Sequence, residues 1–157
     1  MPPLTRKLTL GVMLIGVAVA TLSAQATDPR IGTWTLNAAK STMCPGPPPQ
    51  RVTRTYENRG GGEIRWTMEV VDAKGEPSHE QVTFKLDGQD YPRAVAKDTT
   101  VSQALANADT VEGIMKMDGK VTGTYTMTVS KDRKTMTFQG ADAQGRKSEC
   151  VQAFDRQ

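Results

Sequence analysis

Apolar and polar side chains alternate with a period of two along most of this chain, and this alternation limits the folds open to it. In residues 121–129 the valines, Tyr125 and Met127 share one face, while four threonines share the other. Three further runs repeat the pattern, at residues 63–70, 81–86 and 135–139. Such alternation is typical of antiparallel strands that bury one face.

Turn signals separate these runs at short, fairly even intervals. Asp-Gly pairs are the strongest of them, because both central residues of a type I′ turn need a positive φ. The turns expected are 72–75, 87–88, 118–119, 131–134 and 142–145, and weaker strands are expected at 31–37, 50–57, 91–96, 110–116 and 147–155. Residues 99–107, which contain two alanines, are the only candidate for a helical turn. The proline-rich run at 44–49 is expected to be a stiff connection outside any sheet interior.

About nine strands joined by short turns are not expected to remain an open sheet. Free strand edges invite pairing with other chains, and closure into a barrel removes them. The sequence therefore predicts an all-β fold, an antiparallel up-and-down β-barrel of about eight to ten strands. A barrel of this size is filled by side chains or holds one small ligand.

Residues 1–26 have the order expected of a secretory signal peptide. Arg6 and Lys7 precede an apolar run at 8–22, and Ala24-Gln25-Ala26 supplies small residues before a cleavage site. The run is shorter than the roughly 20 residues that span a hydrocarbon core, which makes an uncleaved anchor the weaker alternative. Cleavage after Ala26 would leave one domain, 27–157, without a membrane span, in the periplasm or outside the cell.

The charge of the mature domain gives no sign of a nucleic-acid partner. The leader holds two of the 20 basic residues and none of the 17 acidic ones, so residues 27–157 carry a net charge of +1. No block of like charge remains to attract nucleic acid or a membrane surface. We expect a monomer.

Both cysteines, Cys44 and Cys150, lie in the exported domain. An oxidising compartment favours a structural disulfide between them. The alternative is a redox or metal pair, but their spacing forms no Cys-x-x-Cys motif.

The first mature strand contains Gly32-Thr33-Trp34, which resembles the Gly-x-Trp signature at the start of the lipocalin barrel. The resemblance implies that Trp34 plugs the closed end of the barrel, with Arg156 or Arg146 packed over it. Segments such as IGTWTLNAAKS, LDGQDYP and VSKDRKTMT also resemble a group of small exported bacterial lipocalin-like proteins of unassigned function. That resemblance implies a barrel and an export route, and no catalytic residue.

The sequence offers no defensible catalytic, cofactor or metal motif. His79 is the only histidine, and neither a nucleophile elbow nor a set of three metal ligands accompanies it. Residues 87–92 hold two carboxylates, fewer oxygens than a calcium loop needs, and are interpreted as a tight turn. We therefore expect a protein that is not an enzyme.

The leading functional hypothesis is binding of a small apolar or amphipathic molecule in the lumen. Six methionines in the mature domain would suit an adaptable apolar site, although plain core filling remains the alternative. Tyr56 and Arg54 are candidates for polar contacts. The expected lining is Trp66, Met68, Phe84, Tyr125, Met127 and Phe138. Two other hypotheses stay open: an envelope interaction module with a filled core, and an enzyme with its site at the barrel mouth.

Overall fold

The structure, a computed structural model, describes residues 28–157. The expected signal peptide therefore lies outside the described residues. One 3₁₀ turn, Ala38–Lys40, follows the first strand. The strands are β1 Gly32–Leu36, β2 Arg51–Gly60, β3 Glu63–Val71, β4 Pro77–Phe84, β5 Tyr91–Pro92, β6 Thr99–Asn107, β7 Thr110–Met117, β8 Lys120–Val129, β9 Thr135–Asp142 and β10 Lys147–Arg156. Within the described range no helix is long and apolar enough to cross a membrane.

All ten strands belong to one antiparallel sheet with the order β4-β3-β2-β1-β10-β9-β8-β7-β6-β5. Except for β4 and β5, strands that follow one another in sequence are paired, and β1 also pairs with β10, which joins the first and last strands. The edge strands β4 and β5 lie side by side without a ladder of hydrogen bonds. The predicted up-and-down barrel is thus confirmed, with one seam between β4 and β5.

Alternation along the strands sorts side chains between the barrel interior and its surface. In β2, Val52, Arg54 and Tyr56 are buried while the residues between them are not. The same alternation in the other strands produces one core. Its buried apolar members are Trp34, Val52, Tyr56, Ile64, Val82, Phe84, Val101, Val111, Met127, Val129, Met136 and Phe154.

Trp34 and Arg156 pack together near the start of β1 and the end of β10. The indole is fully buried and donates a hydrogen bond to the carbonyl of Arg30 at 2.8 Å. The Arg156 guanidinium lies 4.2 Å from the indole centre and donates to the carbonyls of Pro29 and Ile31. Of the two arginines considered for this place, the structure puts Arg156 over Trp34.

Limited space around position 32 explains why the Gly-x-Trp motif has a glycine there. A Cβ on Gly32 would lie 2.7 Å from Nη1 of Arg156, closer than real side chains approach. Gly32 also has a φ of +130°, a conformation that other residues rarely adopt. The motif therefore leaves room for the arginine that covers the tryptophan.

The predicted disulfide between Cys44 and Cys150 is present, with Cα atoms 5.0 Å apart. Beside it, Thr42 and Val151 exchange two backbone hydrogen bonds of 2.8 and 2.9 Å. Together these contacts fasten the proline-rich connection to β10.

Two local predictions were wrong. Thr99–Asn107 is strand β6 and not a helical turn, because pairing with β7 along its whole length outweighs the helix propensity of its alanines. The strand expected at 91–96 is only Tyr91–Pro92, since proline gives no N–H to a ladder and the chain leaves the sheet there.

Candidate functional site

A cavity of about 110 Å³ lies inside the barrel. Strands β2, β3 and β6 to β9 supply most of its wall, and Arg93 completes it at the seam. The wall combines aromatic and aliphatic groups with two arginines and one amide. Its residues are Arg54, Tyr56, Trp66, Met68, Arg93, Val101, Gln103, Met115, Tyr125 and Phe138.

Four of the six residues expected in the lining face this cavity: Trp66, Met68, Tyr125 and Phe138. The other two do not line it. Phe84 and Met127 are each 2% exposed and belong to the buried core. Alternation identifies inward-facing residues but not the depth at which free space remains.

Arg54 is the most unusual group in the wall, since it is a charged residue with 8% exposure. Within residues 28–157 it takes part in no salt bridge, and its Nε is buried without a hydrogen-bond partner. Its guanidinium carbon lies 4.5 Å from the ring centre of Phe138 and 4.9 Å from that of Phe154. Aromatic faces thus stabilise this cation in place of a carboxylate.

A second charge cluster crosses the seam between β4 and β5. Glu80, 4% exposed, accepts two hydrogen bonds of 2.7 Å from Nε and Nη2 of Arg93. The hydrogen bond to Glu80 raises the pKa of Arg93 above its usual value. This bidentate pair connects the two edge strands where ladder hydrogen bonds are absent.

Glu80 and Arg93 were not among the residues predicted from the sequence. Alternation could have placed Glu80 inside, because it shares a face with Val82 and Phe84 on β4. Arg93 follows the short strand β5, where no pattern predicts its direction.

Two phenols add polar groups that stay protonated. The Tyr56 hydroxyl donates to Sδ of Met127 at 3.2 Å, and burial raises the pKa of Tyr56. Tyr125 stacks on Phe138 with ring centres 4.8 Å apart, and burial raises the pKa of Tyr125 strongly. Its ring occupies the space above Gly113, where a Cβ would lie 2.1 Å from it.

Two larger depressions, of about 410 and 350 Å³, lie elsewhere. The larger is lined mainly by residues that alternate with the inward-facing ones of β6 to β8, and so it lies mostly on the outer surface. The other lies between the proline-rich connection and β10, next to the disulfide. The ring of Phe138 borders both this cleft and the internal cavity.

The residues considered for metal binding or catalysis lie outside the cavity. His79 is exposed on β4. Asp87 accepts hydrogen bonds from the Gln89 N–H and the Tyr91 hydroxyl, and these contacts help lower its pKa, as expected for a structured turn. Over residues 28–157, no group of three or more histidine, cysteine or acidic residues could hold a metal ion.

No protein-family model matches the chain, and no curated protein matches it either. Solved structures do match. An asparagine-to-alanine variant of the fluorescent protein UnaG covers 84% of this chain and 99% of its own, with a TM-score of 0.62 and 16% identity. The chain therefore shares the barrel fold of UnaG. Wild-type UnaG matches this barrel with a TM-score of 0.54 at 14% identity, over 81% of this chain and 96% of its own. At such identities the likeness establishes the fold alone.

Proposed function

We propose that this barrel binds a small apolar or amphipathic molecule, without covalent attachment, in its internal cavity. The observation that carries the proposal is a concave, mainly apolar wall, built by Trp66, Met68, Tyr125 and Phe138, to which a few polar groups contribute. A concave site of this composition gains affinity from buried apolar area, while the polar groups fix orientation. A barrel with a completely filled core would offer no such space.

Tryptophan fluorescence provides a direct test. Trp66 borders the cavity, whereas Trp34 is fully buried and does not line it, so a ligand in the cavity changes mainly the emission of Trp66. We expect a saturable change when the full-length protein is titrated with single-ring probes such as benzyl alcohol, 4-propylphenol and benzoate. Trp66→Phe should remove most of the response.

Two matched variants test whether the probe binds in the cavity. Val101→Phe adds a ring to a buried residue of the wall, while Val121→Phe adds the same ring at a surface residue that is 42% exposed. Binding should weaken in the first variant and persist in the second. The proposal fails if no probe gives a saturable change, or if both variants bind as the wild type does.

We propose further that the chain is exported, with cleavage after Ala26, and acts as a monomer. The apolar run at 8–22 and the disulfide support export, because disulfides persist in oxidising compartments. Intact-mass measurement of the protein recovered from its host should show a chain starting at Thr27. Light scattering should give the mass of one chain, and a dimer would instead favour the interaction-module hypothesis.

The proposal includes no catalysis. The exposed His79 and the structural hydrogen bonds of Asp87 support binding without chemistry at those residues. Bound probes should therefore be recovered with unchanged mass after long incubation, and a converted probe would contradict this part of the proposal.

A further inference from the structure

The charged residues at the cavity include one cation that no anion balances. Arg54 and Arg93 both reach the cavity wall, but Glu80 is the one buried acidic residue in the described part of the chain. Both carboxylate oxygens of Glu80 are engaged by Arg93, at 2.7 Å each. Arg54 is left as an uncompensated charge of +1.

A buried guanidinium without a counter-ion is costly, because the charge has lost its hydration. The rings of Phe138 and Phe154 stabilise it only in part. These contacts are made through aromatic faces and satisfy no N–H, and Nε of Arg54 stays without an acceptor within residues 28–157. The edge of the guanidinium remains able to donate.

A second buried donor lies close to Arg54. Nε1 of Trp66 has no hydrogen-bond partner in the same range, and the Arg54 guanidinium is 5.8 Å from the Trp66 ring centre. Both residues line the cavity. An acceptor group that entered here could receive hydrogen bonds from both and would neutralise the unpaired charge.

Resting on the proposed function, we propose that the ligand is a small carboxylic acid whose carboxylate binds Arg54. One negative charge matches the single unpaired positive charge, and the planar carboxylate matches the edge of a guanidinium. The Trp66 N–H donates to the same group. The apolar body of the acid packs against Met68 and Tyr125.

The cavity volume limits the size of this acid. An engineered protein cavity of about 150 Å³ is known to accept benzene. At about 110 Å³, the present cavity suits one ring or a short chain. Benzoate and benzyl alcohol are therefore suitable probes, since they share the ring and differ in charge.

The test compares these two probes on the wild type, on Arg54→Met and on Arg51→Met. The first variant keeps the length of the buried side chain and removes its charge. The second makes the same change at an exposed residue of the same strand. Because hydrogen bonds to charged groups are strong, wild type should prefer benzoate over benzyl alcohol by roughly 10- to 100-fold. Arg51→Met should keep that preference, and Arg54→Met should lose it.

Each outcome separates this inference from the proposed function. If benzyl alcohol and benzoate bind wild type equally, the acid preference is wrong and lumen binding stands. If neither binds, both are wrong. A preference that persists in a folded Arg54→Met protein, checked by circular dichroism, overturns the role of Arg54. Should that variant fail to fold, the wild-type comparison of acid and alcohol decides.

Discussion

Replacing Arg156 by alanine should destabilise the barrel by about 3 kcal/mol, and the estimate follows from three contacts. The guanidinium donates to the part-buried carbonyls of Ile31 and Pro29 and stacks on the indole of Trp34. Each hydrogen bond contributes about 1 kcal/mol net, and the stacked cation about 1 kcal/mol more. A further hydrogen bond, to the Arg133 carbonyl, is exposed, and water can replace it.

Thermal and urea unfolding followed by circular dichroism would measure this loss. For a domain of this size, 3 kcal/mol corresponds to a fall in Tm of roughly 10 °C. Arg156→Lys should recover only part of the loss, because an ammonium cannot reach two carbonyls with a planar fork.

Arg146→Ala is the matched control for this prediction. Arg146 pairs with Asp142 in a surface turn, where its side chain is 80% exposed, so its removal should cost less than about 0.5 kcal/mol. The reasoning is refuted if Arg156→Ala unfolds within 0.5 kcal/mol of wild type, or if both alanine variants lose equal stability.

Three other predictions concern the rest of the barrel. Replacing both cysteines by alanine should lower stability by about 4 to 5 kcal/mol in urea unfolding, because the disulfide joins residues 106 apart. Hydrogen bonds from Lys40 and Asn37 lower the pKa of Asp155. Its contribution to stability is therefore present above the unfolded pKa of about 3.9 and is lost as the pH falls below that value. In Asp155→Asn the free energy of unfolding should fall less steeply with decreasing pH than in the wild type. Gly113→Ala should displace the Tyr125 ring and cost about 1 to 3 kcal/mol, visible as an altered near-ultraviolet circular dichroism spectrum.

The strands could be predicted because each buries one face, and alternation records that face directly. For the runs that contain Trp66 and Tyr125, the predicted strand ends lie within a residue or two of the observed ones. β6 is one exception, because Val101, Gln103 and Leu105 alternate there with Ser102, Ala104 and Ala106. Pairing with β7, the next strand along the chain, decides its conformation, and that pairing is not visible in the residues of β6 themselves.

The cavity was harder to predict than the fold. Alternation along β2 places Arg54 and Tyr56 inside, and both were named as polar candidates. Arg54 has no anionic partner because Glu80 pairs with Arg93 instead. That pairing depends on the packing of β4 against the segment after β5. Which inward side chains border free space depends likewise on packing across the whole interior.

The pairing of β1 with β10 has a consequence for the order of events during synthesis. Trp34, on the first strand, leaves the ribosome well before its cover, Arg156, which lies on β10. Contacts between such distant segments form slowly, because a long loop must be closed before they form. A nascent chain of this protein therefore holds an incomplete barrel until β10 has been made, and without β10 the first strand would be paired with β2 alone.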